Sequence, residues 1–176
     1  MNILFILSGS VACYKACFLI SRLAREGHEV KTAVTENALQ FIGAATLESL
    51  TSKTVYSDMF GKKEQIEHVS LSKWADVTIL CPATANIINK MAAGIGDDCA
   101  STLFLAADLK KPFIVVPAMN VNMYEHPSVT RGIKQLKDWG VKVMGPAVGR
   151  QACGDVGPGR MPEPEDIYKF IKPYLK

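Results

Sequence analysis

The chain opens on "NILFIL", an unbroken apolar run closed by "SGS". A run this short, with no polar alternation, predicts a strand over Asn2–Leu7 buried on both faces. From Val11 to Arg25 the apolar residues Ala12, Ala16, Leu19, Ile20 and Leu23 fall near helical spacing, and Gly27 ends the helix. His28–Val34 reads as a second strand, followed by a turn at Thr35, a helical region through Leu50 and an irregular section from Thr51 to Glu67. "HVSLSKWA" predicts a short helix, "DVTILCPA" a strand, and "TANIINKMAAGIGDD" the start of another helix. A helix over Asp98–Leu109 and a strand in "KPFIVVPAM" come next. Residues 126–139 are predicted helical, 141–144 a short strand, and Glu165–Leu175 a closing helix. "QACGDVGPGRM" is too rich in glycine and proline for a helix or a central strand and reads as a loop.

Strands that alternate with helices make βαβ units. The predicted class is α/β: a single doubly wound, Rossmann-like domain over residues 1–176 with a mostly parallel sheet. Ligands of such sheets bind beyond the carboxyl ends of the strands. The segments expected there are "SGS", "VTEN", "CPATAN" and "PAMNVNM", whose small residues, hydroxyls and amides suit close approach of a ligand to helix N-termini. No G-x-G-x-x-G follows the first strand and no Walker pattern occurs, so a mononucleotide such as FMN fits better than a dinucleotide.

Charge narrows the partners. Twenty Lys and Arg against 17 Asp and Glu leave a net charge of only +3, scattered along the chain. That excludes a nucleic-acid footprint but not a small anionic ligand. The apolar N-terminal run is too short for a signal peptide or a membrane span, so a cytoplasmic protein is expected. Cysteines stand at 13, 17, 81, 99 and 153. Their odd number and lack of C-x-x-C spacing argue against a disulfide framework and a metal site, and three lie in apolar surroundings as core residues. Cys153, in the glycine-rich segment, does not look like core.

Among the residues able to do chemistry, His68 heads a helix in "EHVSL", where it serves either structure or general base catalysis. His28 and His126 read as structural. Asn120 at a strand end is either a turn residue or a grip for a carboxylate or amide. Met119 and Met123 suit core packing or an apolar wall for a flat ring. Asp97 and Asp98 read as charges at a helix N-terminus. Arg160 reads as a surface arginine, with anion binding as the alternative.

Five segments occur in order and cover most of the chain: "GSVACYKA", "EHVSL", "CPATANIINKMAAGIGDD", "PAMNVNMYEHP" and "ACGDVGPGRMPEPE". Together they resemble the FMN-dependent cysteine decarboxylases, and within them the branch that acts on phosphopantothenoylcysteine in coenzyme A biosynthesis. Tyr124 stands where that pattern usually has tryptophan. The resemblance implies His68 as active-site base, Asn120 as ligand of the substrate carboxylate, and Cys153 as proton donor on a closing loop. It points to Gly9, Ser10, Thr35, Thr84, Ala85, Asn86 and Ala118 for FMN. It also implies trimers or multiples of trimers, with flavin near the subunit interface. In many bacteria the domain is fused to a ligase that makes its substrate; because this chain ends after its last helix, that second activity is expected to be absent.

The implied chemistry gives the lone cysteine a purpose. Oxidation of the cysteine side chain to a thioaldehyde creates an electron sink beta to the carboxylate, and loss of carbon dioxide leaves an ene-thiol. Returning the hydride also needs a proton, which Cys153 would deliver. Peptidyl-cysteine decarboxylases of lantibiotic synthesis release the ene-thiol and need no such donor. They are the alternative reading, with a flavin-binding phosphatase-regulatory subunit as a second; the latter usually carries an acidic tail.

Overall fold

The computed structural model describes residues 1–58, 67–151 and 154–175. In chain order its elements are β1 (Asn2–Leu7), α1 (Cys13–Arg25), β2 (Glu29–Val34), a 3-10 turn (Glu36–Gln40), α2 (Ala44–Thr51), α3 (Glu67–Trp74), β3 (Val77–Ala83) and α4 (Ala85–Ala93). They continue with α5 (Cys99–Leu105), β4 (Phe113–Pro117), α6 (Val121–Glu125), α7 (Pro127–Asp138), β5 (Lys142–Val143), β6 (Ala147–Arg150), β7 (Val156–Arg160) and α8 (Pro164–Ile171).

Five strands form a parallel sheet in the order β2-β1-β3-β4-β5. The pleat sends alternate residues of β1 to opposite faces. Ile3, Phe5 and Leu7 join Ala16, Leu19, Ile20 and Leu23 of α1 and Ile167 and Ile171 of α8 in one core. Leu4 and Ile6 join Leu71, Ile88, Leu103, Val129 and Leu136 from α3, α4, α5 and α7 in the other. Both faces are covered, which is why β1 and β3 read as continuous apolar runs. Each fully buried Leu, Ile or Phe contributes about 1.5–3 kcal/mol from apolar burial alone.

The chain leaves β1 for β2 on one side and then crosses to β3 on the other, so β1 and β3 flank the switch point of the sheet. In this architecture the crevice beyond those two strand ends is the natural ligand site.

Several boundaries differ from the sequence expectations. The region through Leu50 divides into the 3-10 turn and α2, with Gly43 between them as the α2 N-cap. The helix expected over Asp98–Leu109 ends at Leu105, and "VNMYE" forms the one-turn-plus helix α6, with Asn120 as its N-cap. The largest correction is "QACGDVGPGRM". Residues Val156–Arg160 are a strand, paired antiparallel with β6 and bulged between Ala147 and Val148. Its glycines form the inner face of this hairpin. A Cβ on Gly157 would lie 2.6 Å from Val121 Cγ2, and one on Gly159 would lie 2.5 Å from the Met119 carbonyl. Only glycine lets this strand press against β4's exit, and Gly159 also holds φ +127 at the bulge.

Candidate active site

The site is built at the β1 and β3 ends. Ser8, buried to 2% exposure, donates from Oγ to the Pro82 carbonyl (2.8 Å) and accepts the Thr84 N–H (3.0 Å). This ties the two strand ends together. Gly9 follows at a point where a Cβ would meet Asn37 Cβ at 2.7 Å, so the β1–α1 loop lies directly against the 3-10 turn. Thr35 caps that turn, its hydroxyl accepting the Ala38 N–H.

A cavity of about 440 Å³ opens here, lined among others by Ser8, Gly9, Thr35, Thr84, Asn86 and Lys90. Thr84 is the N-cap of α4 but makes no side-chain cap hydrogen bond. The first-turn amides of α4 therefore face the cavity without a capping oxygen, which suits an anion or a hydroxylated chain. Deeper in, Lys90 Nζ meets Asp97 (2.6 Å) and Asp98 (2.8 Å). Burial works against the Lys90 ammonium, but the two carboxylates outweigh it and raise the pKa. Asp98 also N-caps α5 in a capping box with Ser101, as the charges at a helix start anticipate.

A second cavity, of about 260 Å³, lies on the other side of the same loop. Ser10, Val11 and Ala12 line it together with Ala118, Met119 and Asn120, and the hairpin closes it with Gln151, Gly159, Arg160 and Met161. The hairpin is fastened to the β4 exit by backbone and side chain: the Met119 N–H donates to the Gly159 carbonyl (2.9 Å), and the Val121 N–H to Gln151 Oε1 (3.0 Å). Gln151 Nε2 donates in turn to the Pro158 carbonyl. Asn120 N-caps α6 through Oδ1, which accepts the Asn122 N–H at 2.8 Å; its Nδ2 donates to Asp155 Oδ2 at 2.7 Å.

The expected site residues thus divide. Gly9, Thr35, Thr84 and Asn86 line the larger cavity; Ser10, Ala118 and Asn120 line the smaller. Ala85 is buried at the first position of α4 and lines neither. His68 is half-buried in the first turn of α3 and is likewise absent from both linings. Cys153 lies outside the described residues. Met119 lines the smaller cavity and Met123, 47% exposed, the larger, so the two do not form one wall. Tyr124 sits half-buried against the second core cluster, where burial raises its hydroxyl pKa. Arg160 pairs with Glu163 at 2.8 Å, which also receives Lys15.

The described thiols are core groups. Burial pushes Cys99 up to about 12, and its Sγ donates to the Val34 carbonyl. Burial likewise raises Cys13, Cys17 and, most strongly, Cys81. At neutral pH all four stay protonated and unreactive. His126 is the N-cap of α7, accepting the Ser128 N–H, which is a structural role.

Ser8, Lys90 and Gln151 were not singled out from sequence. Ser8 had a signal, its place in "SGS" at a strand end. Lys90 has its partners only seven and eight residues on, but Asp97 and Asp98 read as helix-start charges rather than as an ion pair. Gln151 had no signal, because its partners lie at the β4 exit and in a hairpin that reads as loop.

The chain is similar to known proteins along nearly its whole length. The chain is 45% identical to the coenzyme A biosynthesis bifunctional protein CoaBC of Bacillus subtilis over 99% of its own length and 43% of the relative's. It is 40% identical to CoaBC of Vibrio vulnificus over 99% and 44%. The chain therefore spans less than half the length of these relatives. Among solved structures, a PPC decarboxylase variant complexed with pantothenoylaminoethenethiol superposes with a TM-score of 0.87 at 31% identity, covering 99% of this chain and 97% of that one. The FMN binding protein AtHal3 gives 0.83 at 31%, covering 98% and 95%. The epidermin biosynthesis protein EpiD from Staphylococcus aureus gives 0.82 at 30%, covering 97% and 100%. A family model described as Flavoprotein matches residues 1–176. By that full-length match, the chain belongs to the flavoprotein family.

Proposed function

We propose that this chain catalyses the FMN-dependent decarboxylation of phosphopantothenoylcysteine to phosphopantetheine in coenzyme A biosynthesis, as a carbon–carbon lyase. The observation that carries this reading is the pair of cavities on either side of the β1–α1 loop, one edged by uncapped helix amides and the other by Asn120 and the hairpin. Its support from relatives is the likeness, at nearly full length, to a PPC decarboxylase.

The residues of the larger cavity fit FMN. Its volume lies within the usual range for small-molecule sites. Gly9, Thr35, Thr84 and Asn86 would hold the group there, with the α4 first turn favouring its anionic end. Ser10 and Ala118 at the smaller cavity and Ala85 in the α4 first turn complete the expected set. When bound, FMN supplies the two-electron oxidation and its reversal, without which an amino-acid carboxylate does not depart.

The chain's own groups handle position and protons. Asn120 binds the substrate carboxylate through its amide NH₂, the donating half of the amide, while Oδ1 accepts the Asn122 N–H and fixes which way the NH₂ points. His68 serves as the base, and Cys153 returns a proton to the ene-thiol carbon in the last step.

Assembly as a trimer, or a multiple of trimers, accompanies this reading. Val11, Tyr14 and Phe18 are 55%, 56% and 64% exposed at the start of α1, next to the smaller cavity, and form an apolar stripe that a second copy would cover. Cytoplasmic location also goes with it. Among the described residues no helix is long and apolar enough to cross a membrane.

The test is product mass after incubation of the flavin-loaded protein with phosphopantothenoylcysteine, with mass spectrometry of the heat-released cofactor. Phosphopantetheine and FMN are expected. An ene-thiol as the final product points instead to the oxidative decarboxylases of peptidyl cysteine, and no carbon dioxide at all rejects the reading.

A further inference from the structure

The bond between Asn120 and Asp155 bears on how a carboxylate enters the site. With its oxygen fixed by the Asn122 N–H, the Asn120 amide can turn only its NH₂ outward, and that NH₂ donates to the Asp155 carboxylate at 2.7 Å. A substrate carboxylate bound by the same NH₂ arrives where another carboxylate already sits. Two such anions at one amide repel, so they exchange rather than share.

We propose that Asp155 is an internal stand-in for the substrate carboxylate, holding the Asn120 amide until substrate displaces it. This rests on the assignment of Asn120 as carboxylate ligand. Asp155 is well placed to let go. It is exposed. Its carbonyl accepts the Gln151 N–H (2.8 Å), and the neighbouring Gly154 N–H donates to the Gln151 carbonyl (2.9 Å), with Gly154 at φ +95. The hairpin stays fastened by Gly159 to Met119 and by Gln151 to Val121, so displacing the Asp155 side chain does not require undoing those anchors. Asp155 therefore lowers apparent affinity for carboxylate ligands, by roughly three- to tenfold if its bond is worth an ordinary net hydrogen bond.

The experiment uses two unreactive probes on the flavin-loaded protein, titrated by calorimetry: the serine analogue of phosphopantothenoylcysteine and its decarboxylated counterpart. Asp155→Asn and Asp155→Ser are each expected to bind the carboxylate probe several-fold more tightly and the decarboxylated probe unchanged. In an Asn120→Ala background the gain is expected to vanish, because Asp155 acts through that amide. Unchanged or weaker carboxylate binding in both variants overturns the proposal. So does equal tightening of both probes, or a gain that persists without Asn120, which marks long-range repulsion. Asn120→Ala alone separates the two levels. If it leaves both probes unaffected, the assignment of Asn120 falls and the stand-in with it. If it selectively weakens the carboxylate probe while the Asp155 variants change nothing, only the stand-in falls.

Discussion

Ser8 Oγ accepts the backbone N–H of Thr84 at 3.0 Å while donating to the carbonyl of Pro82 at 2.8 Å. One buried hydroxyl thus joins the ends of β1 and β3 across the switch point and sets the mouth of the larger cavity. Ser8→Ala leaves the Thr84 N–H without its acceptor, while the Pro82 carbonyl keeps the backbone N–H of residue 8 (3.1 Å), at a cost of about 1–3 kcal/mol. A lowered melting temperature and weaker flavin retention are expected. A variant as stable as the parent, with flavin fully retained, contradicts this account.

His68 is half-buried in the first turn of α3, and its side chain makes no hydrogen bond among the described residues. Its replacement should therefore spare the fold. His68→Asn is expected to keep stability within about 0.5 kcal/mol and to lose at least about 100-fold in turnover. Decarboxylation within severalfold of the parent would make His68 structural.

Cys153→Ser divides the reaction in two. A serine hydroxyl matches the thiol in size but is a far weaker acid. If Cys153 only returns the final proton, carbon dioxide should still be released, and the ene-thiol should accumulate, lighter by H₂ than the normal product. Normal product at a normal rate would mean that Cys153 takes no part in the chemistry; no carbon dioxide would mean that it is needed for binding.

Burial raises the Asp98 pKa, but the Lys90 ammonium and the Ser101 N–H and hydroxyl more than offset it, leaving a net depression. A carboxyl depressed on folding stabilises the protein above its unfolded value, near pH 4, and that contribution is lost as pH falls through the folded value. Asp98→Ala also removes the α5 N-cap, itself worth about 1 kcal/mol. Denaturation of parent and variant from pH 7 to pH 2 should show a stability gap that narrows below about pH 4. A gap constant with pH would mean that the ion pair contributes nothing.

Legibility followed from where each residue's partners lie. β1 and β3 were readable because strands buried on both faces carry unbroken apolar runs, and α1 because its buried face recurs at helical spacing. Asp98 was readable as a helix-start charge because a cap acts within one turn of its own position. Arg160 to Glu163 is local too, but Lys15, which shares that carboxylate from 148 residues away, left no trace in sequence. The hairpin was misread for a definite reason. Glycines at this density read as marks of a loop, whereas here they mark a strand face that another segment approaches too closely for any side chain.

Taken alone, the sequence determined the α/β class, the strand ends where ligands of such sheets bind and the five motifs of the decarboxylase resemblance, because all of these are written in local runs and spacings. Tertiary structure decided what those motifs share. It split the expected flavin residues between two cavities, bonded Asn120 to Asp155 and set Ser8 as the tie between β1 and β3. These are hydrogen bonds and close approaches between residues 35 to 76 positions apart. No local pattern encodes them, because they exist only once the sheet order has brought β3 beside β1 and folded the hairpin onto the end of β4.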